Sequence, residues 1–407
     1  MQAIETLRSV LKFRRFERNG AKRRLARAAD VGDLRRVARR RLPSGVFDYI
    51  DGAAEDEVTC SRNVASFADL EFVPRILRDV SDVDTSTTIL GRHVPLPLIL
   101  APTGFTRIAD PQGELAVARA AARAGVPYTL STLSTRSIED VAAVSSGDLW
   151  FQVYVWRDKA MLADMVERAA DRYRTMVITV DTAVLGRRER DVRRGFSLPP
   201  KIGLDTLLDG ALHPGWTWAF IRAEPIRFAT VAGGAAGDGT DAVSLADYIS
   251  EQFDPALSWD DIAWFRERWS GPVVLKGVQS VADARLAVRA GVDAVALSNH
   301  GGRQLDGAPS PLELIAPVRD AIGDAAEVYC DGGIRRGSDI VKAVASGATA
   351  AMAGRAYLYG LAAGGEAGVD HVLEMLRAGA QRAMALSGRT SIAALDAELI
   401  RRRPYAG

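Results

Sequence analysis

A histidine and an arginine three residues apart are the groups of this chain best suited to chemistry, in the run Ser298-Asn299-His300-Gly301-Gly302-Arg303-Gln304-Leu305-Asp306. The run follows residues 294–297, Ala-Val-Ala-Leu, whose length and apolar character suit a buried parallel strand. Polar groups just past the C-terminal end of a core strand stand where α/β folds build their sites. The paired glycines let the backbone turn tightly and approach a ligand. His300 suits a general base, although a hydrogen-bonded structural histidine is the other reading, and Arg303 suits bidentate pairing with a carboxylate. A second loop of the same form, Asp331-Gly332-Gly333-Ile334-Arg335, ends another apolar run.

Polar residues recur at each expected strand end: Thr103 and Gly104, Ser131 and Thr132, Gln152 and Tyr154, Thr179 and Asp181, Lys276, and finally Gly354 and Arg355. Gln152 and Tyr154 lie two apart and therefore face the same side of a strand. Arg335, Gly354 and Arg355, with the amides of Gly332 and Gly333, suit phosphate oxygens; surface ion pairs are the alternative. Lys276 suits a negatively charged cofactor or intermediate, or else a snorkelling structural role. Asp181 could orient His300 or cap a helix. Arg188 offers a second cationic contact, and Tyr49 is either a half-buried aromatic or a cover over the site. Residue types alone thus reach a phosphorylated cofactor and a base beside carboxylate-binding arginines.

Positioning these groups requires strands that alternate with helices. Apolar candidates at 98–101, 127–130, 150–155, 176–180, 272–276, 294–297, 327–330 and 349–353 alternate with alanine-rich segments, the first running from Pro111 to Ala124 and stopping at Gly125. Eight similar units predict an α/β fold, a closed (β/α)8 TIM barrel, over a doubly wound sheet. The expected organisation is a helical segment with a short strand excursion at 1–96, the barrel at 97–385 and a tail at 386–407. The rhythm fails at 202–260, a long insertion after strand 4 carrying Trp216, Trp218 and the glycine-rich run 233–239. That insertion suits a lid, a partner-binding loop or a membrane contact.

The net charge of +1, and the lack of helix-turn-helix or RNA-binding signatures, argue against a nucleic-acid partner. Charge is uneven, with thirteen Lys or Arg against three Asp or Glu between Lys12 and Arg41, which suits an anionic membrane surface or a solvated helix. Cys60 and Cys330 are too few for a disulfide framework, and no metal-ligand spacing occurs. Without a secretory h-region or an apolar membrane span, the expected location is cytoplasmic, with peripheral contact at the inner face of the cell membrane left open.

Together, Phe47-Asp48-Tyr49, Ala101-Pro102-Thr103-Gly104, Trp150-Phe151-Gln152-Val153-Tyr154, Thr179-Val180-Asp181, Lys276-Gly277 and the two loops quoted first resemble the FMN-dependent L-2-hydroxy-acid dehydrogenase and oxidase family. The resemblance covers about Leu42 to Ala385. It implies FMN as cofactor, His300 as base with Asp181 as its partner, and Tyr49, Arg188 and Arg303 on the substrate carboxylate. Tyr154 is implied near the hydroxyl. Lys276 is implied beside the N1/O2 edge of the flavin, with Ser131, Gln152 and Thr179 on its ring and Pro102, Thr103 and Gly104 on its N5 side. Arg335 and Arg355 are implied on the phosphate, with Ser298, Asp331, Gly332, Gly333 and Gly354 completing the cofactor site.

Leu133 stands where plant-type glycolate oxidases carry tryptophan, and Gly104 where many oxygen-using relatives carry alanine. These departures are expected to leave room near N5 and favour quinone or another carrier as electron acceptor. In overall look the chain is similar to the bacterial respiratory L-lactate branch. The resemblance therefore implies L-lactate oxidation to pyruvate, with an oxygen-using oxidase and a mandelate or longer-chain dehydrogenase as alternatives. A homo-oligomer, tetrameric in many barrel relatives, is also implied.

Overall fold

The computed structural model describes residues 17–194, 203–232 and 251–403. The glycine-rich run 233–239 and the start of the basic stretch lie outside the described residues. Eight strands close into a parallel barrel in sequence order: β1 Leu98–Leu100, β2 Tyr128–Ser131, β3 Leu149–Tyr154, β4 Thr175–Thr179, β5 Val273–Val278, β6 Ala294–Ser298, β7 Glu327–Asp331 and β8 Ala350–Ala353. Nearly every strand residue is buried, as expected of parallel strands covered on both faces. The first crossover helix, Glu114–Ala124, stops at Gly125, whose φ of 69° is the left-handed cap that glycine adopts without strain.

Alternation sorts the strand residues into two cores. Ile99, Trp150, Val177, Val274, Ala294, Ala296, Tyr329 and Met352 fill the barrel interior, the small alanines leaving space for the two large rings. Their neighbours pack outward against the helices. The expected excursion at 76–95 is a hairpin, Thr87–Ile89 with Arg92–Val94, whose Ile89 and Val94 join the interior core and close the N-terminal end of the barrel.

Before the barrel, helix Val31–Arg41 is capped by the Asp30 side chain on the Asp33 amide. Leu42 precedes proline and is extended, so that helix ends and a second, Ser44–Asp51, starts at a new angle. Helix Val58–Ala68 follows, its first amides held by the Asp306 carboxylate. Between β4 and β5 the described part of the long insertion holds helices Leu204–Leu212 and Pro214–Arg222. The basic end keeps its arginines exposed, but Ile400–Arg402 pairs antiparallel with Leu70–Phe72, and Arg401 and Arg403 both reach Glu71.

Candidate active site

At the C-terminal end of the barrel the strand residues turn polar in step. Ser131 pairs in register with Gln152, Thr179 with Lys276, and Ser298 with Asp331. One cavity of about 370 Å³ is lined by Tyr49, Pro102, Thr103, Gly104, Tyr154, Arg188, Lys276, His300, Arg303, Asp331, Gly332, Gly333, Arg335, Gly354 and Arg355. The side chains of Ser131, Gln152, Thr179, Asp181 and Ser298 are buried but are not part of its wall.

His300 has a left-handed backbone with φ of 58°, which costs a residue bearing a Cβ. The loop is pinned around it. His300 N donates to Ser298 Oγ at 3.0 Å, Gly302 N donates to Asn299 Oδ1 at 3.0 Å, and Asn299 exchanges amide hydrogen bonds with Asn63 at 2.7 and 2.8 Å. His300 Nδ1 lies 3.0 Å from Asp181 Oδ1. Because an ionised carboxylate can only accept, Nδ1 carries a hydrogen, which leaves Nε2 as the ring atom that can exchange a proton. Gly277 permits this approach: its φ is 107°, and a Cβ there would come within 2.8 Å of the Asp181 side chain. Burial opposes the Asp181 charge, yet His300 and Lys276 outweigh it and hold its pKa below the usual carboxylate range.

Lys276 is buried, with Nζ 2.9 Å from Asp331 Oδ2 and 3.1 Å from Ser298 Oγ. Its pKa is raised, since Asp331 and then Asp181 outweigh the larger cost of burial. Arg303 Nη1 donates to Tyr49 O at 2.8 Å and Gly52 O at 3.1 Å. The guanidinium groups of Arg303 and Arg188 lie 5.1 and 5.2 Å from the centre of the Tyr49 ring. Arg188 has Asp191 at 2.9 Å, whereas among the described residues no carboxylate is within ion-pair distance of Arg303. Burial first, then the Arg188 charge, depress the Arg303 pKa to about 10. Such a group gains from an anion. Tyr154 is raised by burial and by Asp181, so its hydroxyl stays protonated and can donate.

The two arginines expected on a phosphate both line the cavity and also donate to backbone carbonyls. Arg355 donates to the carbonyls of Ile50, Gly301 and Gly52 at 3.1, 2.8 and 2.7 Å, and Arg335 Nη1 donates to Ile334 O at 2.9 Å. Space near Gly104 also differs from expectation. A Cβ there would meet Leu133 Cβ at 2.9 Å, so the missing side chain is matched by Leu133 and opens no void on that side. Sequence reasoning did not foresee Phe105, Phe228 and Phe253 on the cavity wall. Phe228 and Phe253 come from the long insertion, where no local pattern marks them.

Of the buried side-chain atoms that lack a partner among the described residues, Gln152 Nε2, Thr179 Oγ1 and Asp181 Oδ2 belong to this end of the barrel. Leaving such groups unpaired costs about 1–3 kcal/mol each, so their gathering at one barrel end, beside a buried ammonium, suits a polar ring cofactor. The glycine backbone at 332 and 333, on the same wall, suits the phosphorylated part of such a molecule.

Residues 38–402 match the model of the FMN-dependent dehydrogenase family, and the chain belongs to that family. It is 47% identical, over 97% of its length and 94% of the relative's, to a putative L-lactate dehydrogenase of Mycobacterium tuberculosis. An L-lactate dehydrogenase of Caulobacter vibrioides is 43% identical over 92% of this chain and 98% of its own. Among solved structures, a monotopic membrane protein, (S)-mandelate dehydrogenase, superposes with a TM-score of 0.88 at 41% identity, covering 93% of this chain and all 100% of that one. Mandelate oxidase gives a TM-score of 0.79 at 39% identity, over 92% and 98% of the two chains. The protein is an FMN-dependent 2-hydroxy-acid dehydrogenase of (β/α)8 architecture.

Proposed function

We propose that the protein oxidises L-lactate to pyruvate and passes the electrons to quinone or another respiratory carrier. The observation that carries this reading is the joining of two elements at one cavity: a histidine backed by a buried carboxylate, and a buried arginine without a carboxylate partner among the described residues, beside Arg188 and Tyr49. Arg303, Arg188 and Tyr49 hold the substrate carboxylate. His300 Nε2 takes the hydroxyl proton, and Asp181 stabilises the imidazolium that results. Tyr154 donates to the substrate oxygen. Gln152, Thr179 and Ser131 would hold the ring of FMN, Lys276 would balance its negative charge, and the residues around Gly332, Gly333, Arg335, Gly354 and Arg355 would hold its phosphate. Bound FMN would supply the acceptor for the two electrons that leave the substrate, which with loss of the hydroxyl and Cα hydrogens accounts for the oxidation to the 2-oxo acid.

The aromatic wall of Phe105, Phe228 and Phe253 favours a second reading, a dehydrogenase of mandelate or longer 2-hydroxy acids. Anaerobic mixing with L-lactate, D-lactate and (S)-mandelate, followed by flavin absorbance, tests both. Fast bleaching by L-lactate alone supports the first reading, and faster bleaching by (S)-mandelate the second. Reoxidation by a quinone in preference to oxygen supports the proposed acceptor. Rapid peroxide formation rejects it.

Peripheral membrane contact is part of the proposal. No described helix is long and apolar enough to cross a membrane. Helices Leu204–Leu212 and Pro214–Arg222, however, expose Leu207, Leu208, Leu212, Trp218 and Ile221. Replacing Leu212, Trp218 and Ile221 with serine should release the protein from vesicles. Unchanged partitioning would reject the contact.

A further inference from the structure

Behind the proposed carboxylate site lies a charged cluster that the reaction does not use. Asp51, the last residue of helix Ser44–Asp51, has a side chain only 3% exposed. It accepts hydrogen bonds from Arg35 Nη2 at 2.7 Å, Arg190 Nη1 at 3.0 Å and the Tyr359 hydroxyl at 2.6 Å. Burial works against its charge, but these donors outweigh it and lower its pKa to about 2. Arg190 continues outward to the carboxylates of Glu57 and Asp48. The Glu57 carboxylate also accepts the Ala53 amide.

What this cluster joins gives it meaning. The C-terminal end of helix Ser44–Asp51 supplies the Tyr49 ring and the carbonyls of Tyr49 and Gly52 that fix Arg303. Arg190 lies two residues beyond Arg188, and Glu55 N donates to Arg187 O at 3.0 Å in the same loop. Tyr359 belongs to helix Arg355–Gly364. The carboxylate of Asp51 therefore meets, within one hydrogen-bond shell, the helix holding Tyr49, the segment holding Arg188 and the helix that starts at Arg355.

We propose that Asp51 and Arg190 are positioning residues that set the spacing of Tyr49, Arg188 and Arg303 and so govern affinity for the substrate carboxylate. The proposal rests on the reading of those three groups as the carboxylate site. An ion pair buried on one side holds two elements in register only while both partners are present, and removing either leaves the other badly solvated. The arginine fork also matters, because a lysine at 190 cannot serve Asp51 and Glu57 together with the same geometry.

Oxalate binding to the FMN-loaded enzyme, read from the perturbed flavin spectrum, is the test, with KM and kcat for L-lactate and the thermal midpoint measured alongside. Asp51→Asn and Arg190→Gln should each weaken oxalate binding and raise KM by about tenfold, with kcat changed much less. The double variant should be little worse than either single one, because both remove the same link. Arg190→Lys should recover only part of the loss. Lowered thermal midpoints with unchanged oxalate affinity in both singles would overturn the proposal and leave the cluster a purely structural one. If Asp51→Asn does not fold, Arg190→Gln and Arg190→Lys decide the matter by the same readout. Arg303→Lys is the control: unchanged oxalate binding there rejects the carboxylate site itself, whereas weakened binding there with normal binding in the Asp51 and Arg190 variants rejects only this proposal.

Discussion

The two ends of the barrel are built from the same strands under the same alternation, yet they treat charge in opposite ways. At the N-terminal end Arg174 is shared between Asp148, at 3.0 and 2.8 Å, and the Leu90 carbonyl at 2.9 Å. Glu327 there accepts from the Leu90 amide and the Tyr329 hydroxyl, both at 2.8 Å. Each charge has its answer within the protein, and Ile89 and Val94 seal the opening. At the C-terminal end, Arg303 has no carboxylate of its own among the described residues, and Gln152, Thr179 and Asp181 keep unpaired buried atoms. The first end answers its charges internally, although the neutral Trp150 Nε1 and Thr175 Oγ1 there are also buried without a partner among the described residues. The other becomes complete with an anion and a polar ring, and this division is the physical form of the rule that such barrels place structure below and chemistry above.

The strongest way to break the comparison is at His300. His300→Ala should keep FMN but slow flavin reduction by L-lactate on the order of 10³-fold, the usual scale for loss of a general base. Near-normal reduction in stopped flow would remove His300 from that role. Trp150→Ala, in the closed interior, should instead cost about 3 kcal/mol of stability in denaturant unfolding, through the cavity it leaves, while the folded fraction still binds oxalate. A loss of oxalate affinity equal to that of Arg303→Lys would show that the two ends are not separate.

Arg303→Lys should raise KM for L-lactate by roughly tenfold, since a point charge replaces a fork held by two carbonyls. Unchanged steady-state kinetics would exclude Arg303 from substrate binding. The smallest effect is a contrast in pH. Asp181 has a depressed pKa in the folded protein, so its contribution is present above the unfolded carboxylate value and fades as pH falls through the folded one. Glu327 is raised by burial, partly offset by Tyr329, so its contribution is present at low pH and is lost as pH rises through the folded value. The stability margin of the wild type over Asp181→Asn should therefore shrink toward acid, and that over Glu327→Gln should shrink toward neutrality. Parallel slopes in pH-dependent unfolding would contradict the assignment of opposite roles to the two ends.

Much of the open end was legible in the chain because chemistry there is local to strand termini. Residues 294–297 announce a buried strand, and His300 and Arg303 follow it directly; Lys276 in the C-terminal half of β5 and Asp331 at the end of β7 are placed in the same way. The behaviour of Gly104 was not legible, since its missing Cβ is matched by Leu133 from the next loop. Nor was the present engagement of Arg355, whose three carbonyl partners lie far from it in sequence.

By itself the sequence determined the period of the strands, the stops of helices such as that at Gly125, the closing of eight similar units and the membership of an FMN-dependent family. These follow from spacing, and spacing is written locally. Only the tertiary structure decided that Asn63 would hold the His300 loop from 236 residues away, that Arg190 and Asp51 would meet across 139, and that Phe228 and Phe253 would wall the cavity. A side chain's type states what it can bond. Which partner it meets is set by barrel closure and by the packing of the N-terminal helices and the long insertion over the open end, and those distances appear in no local pattern.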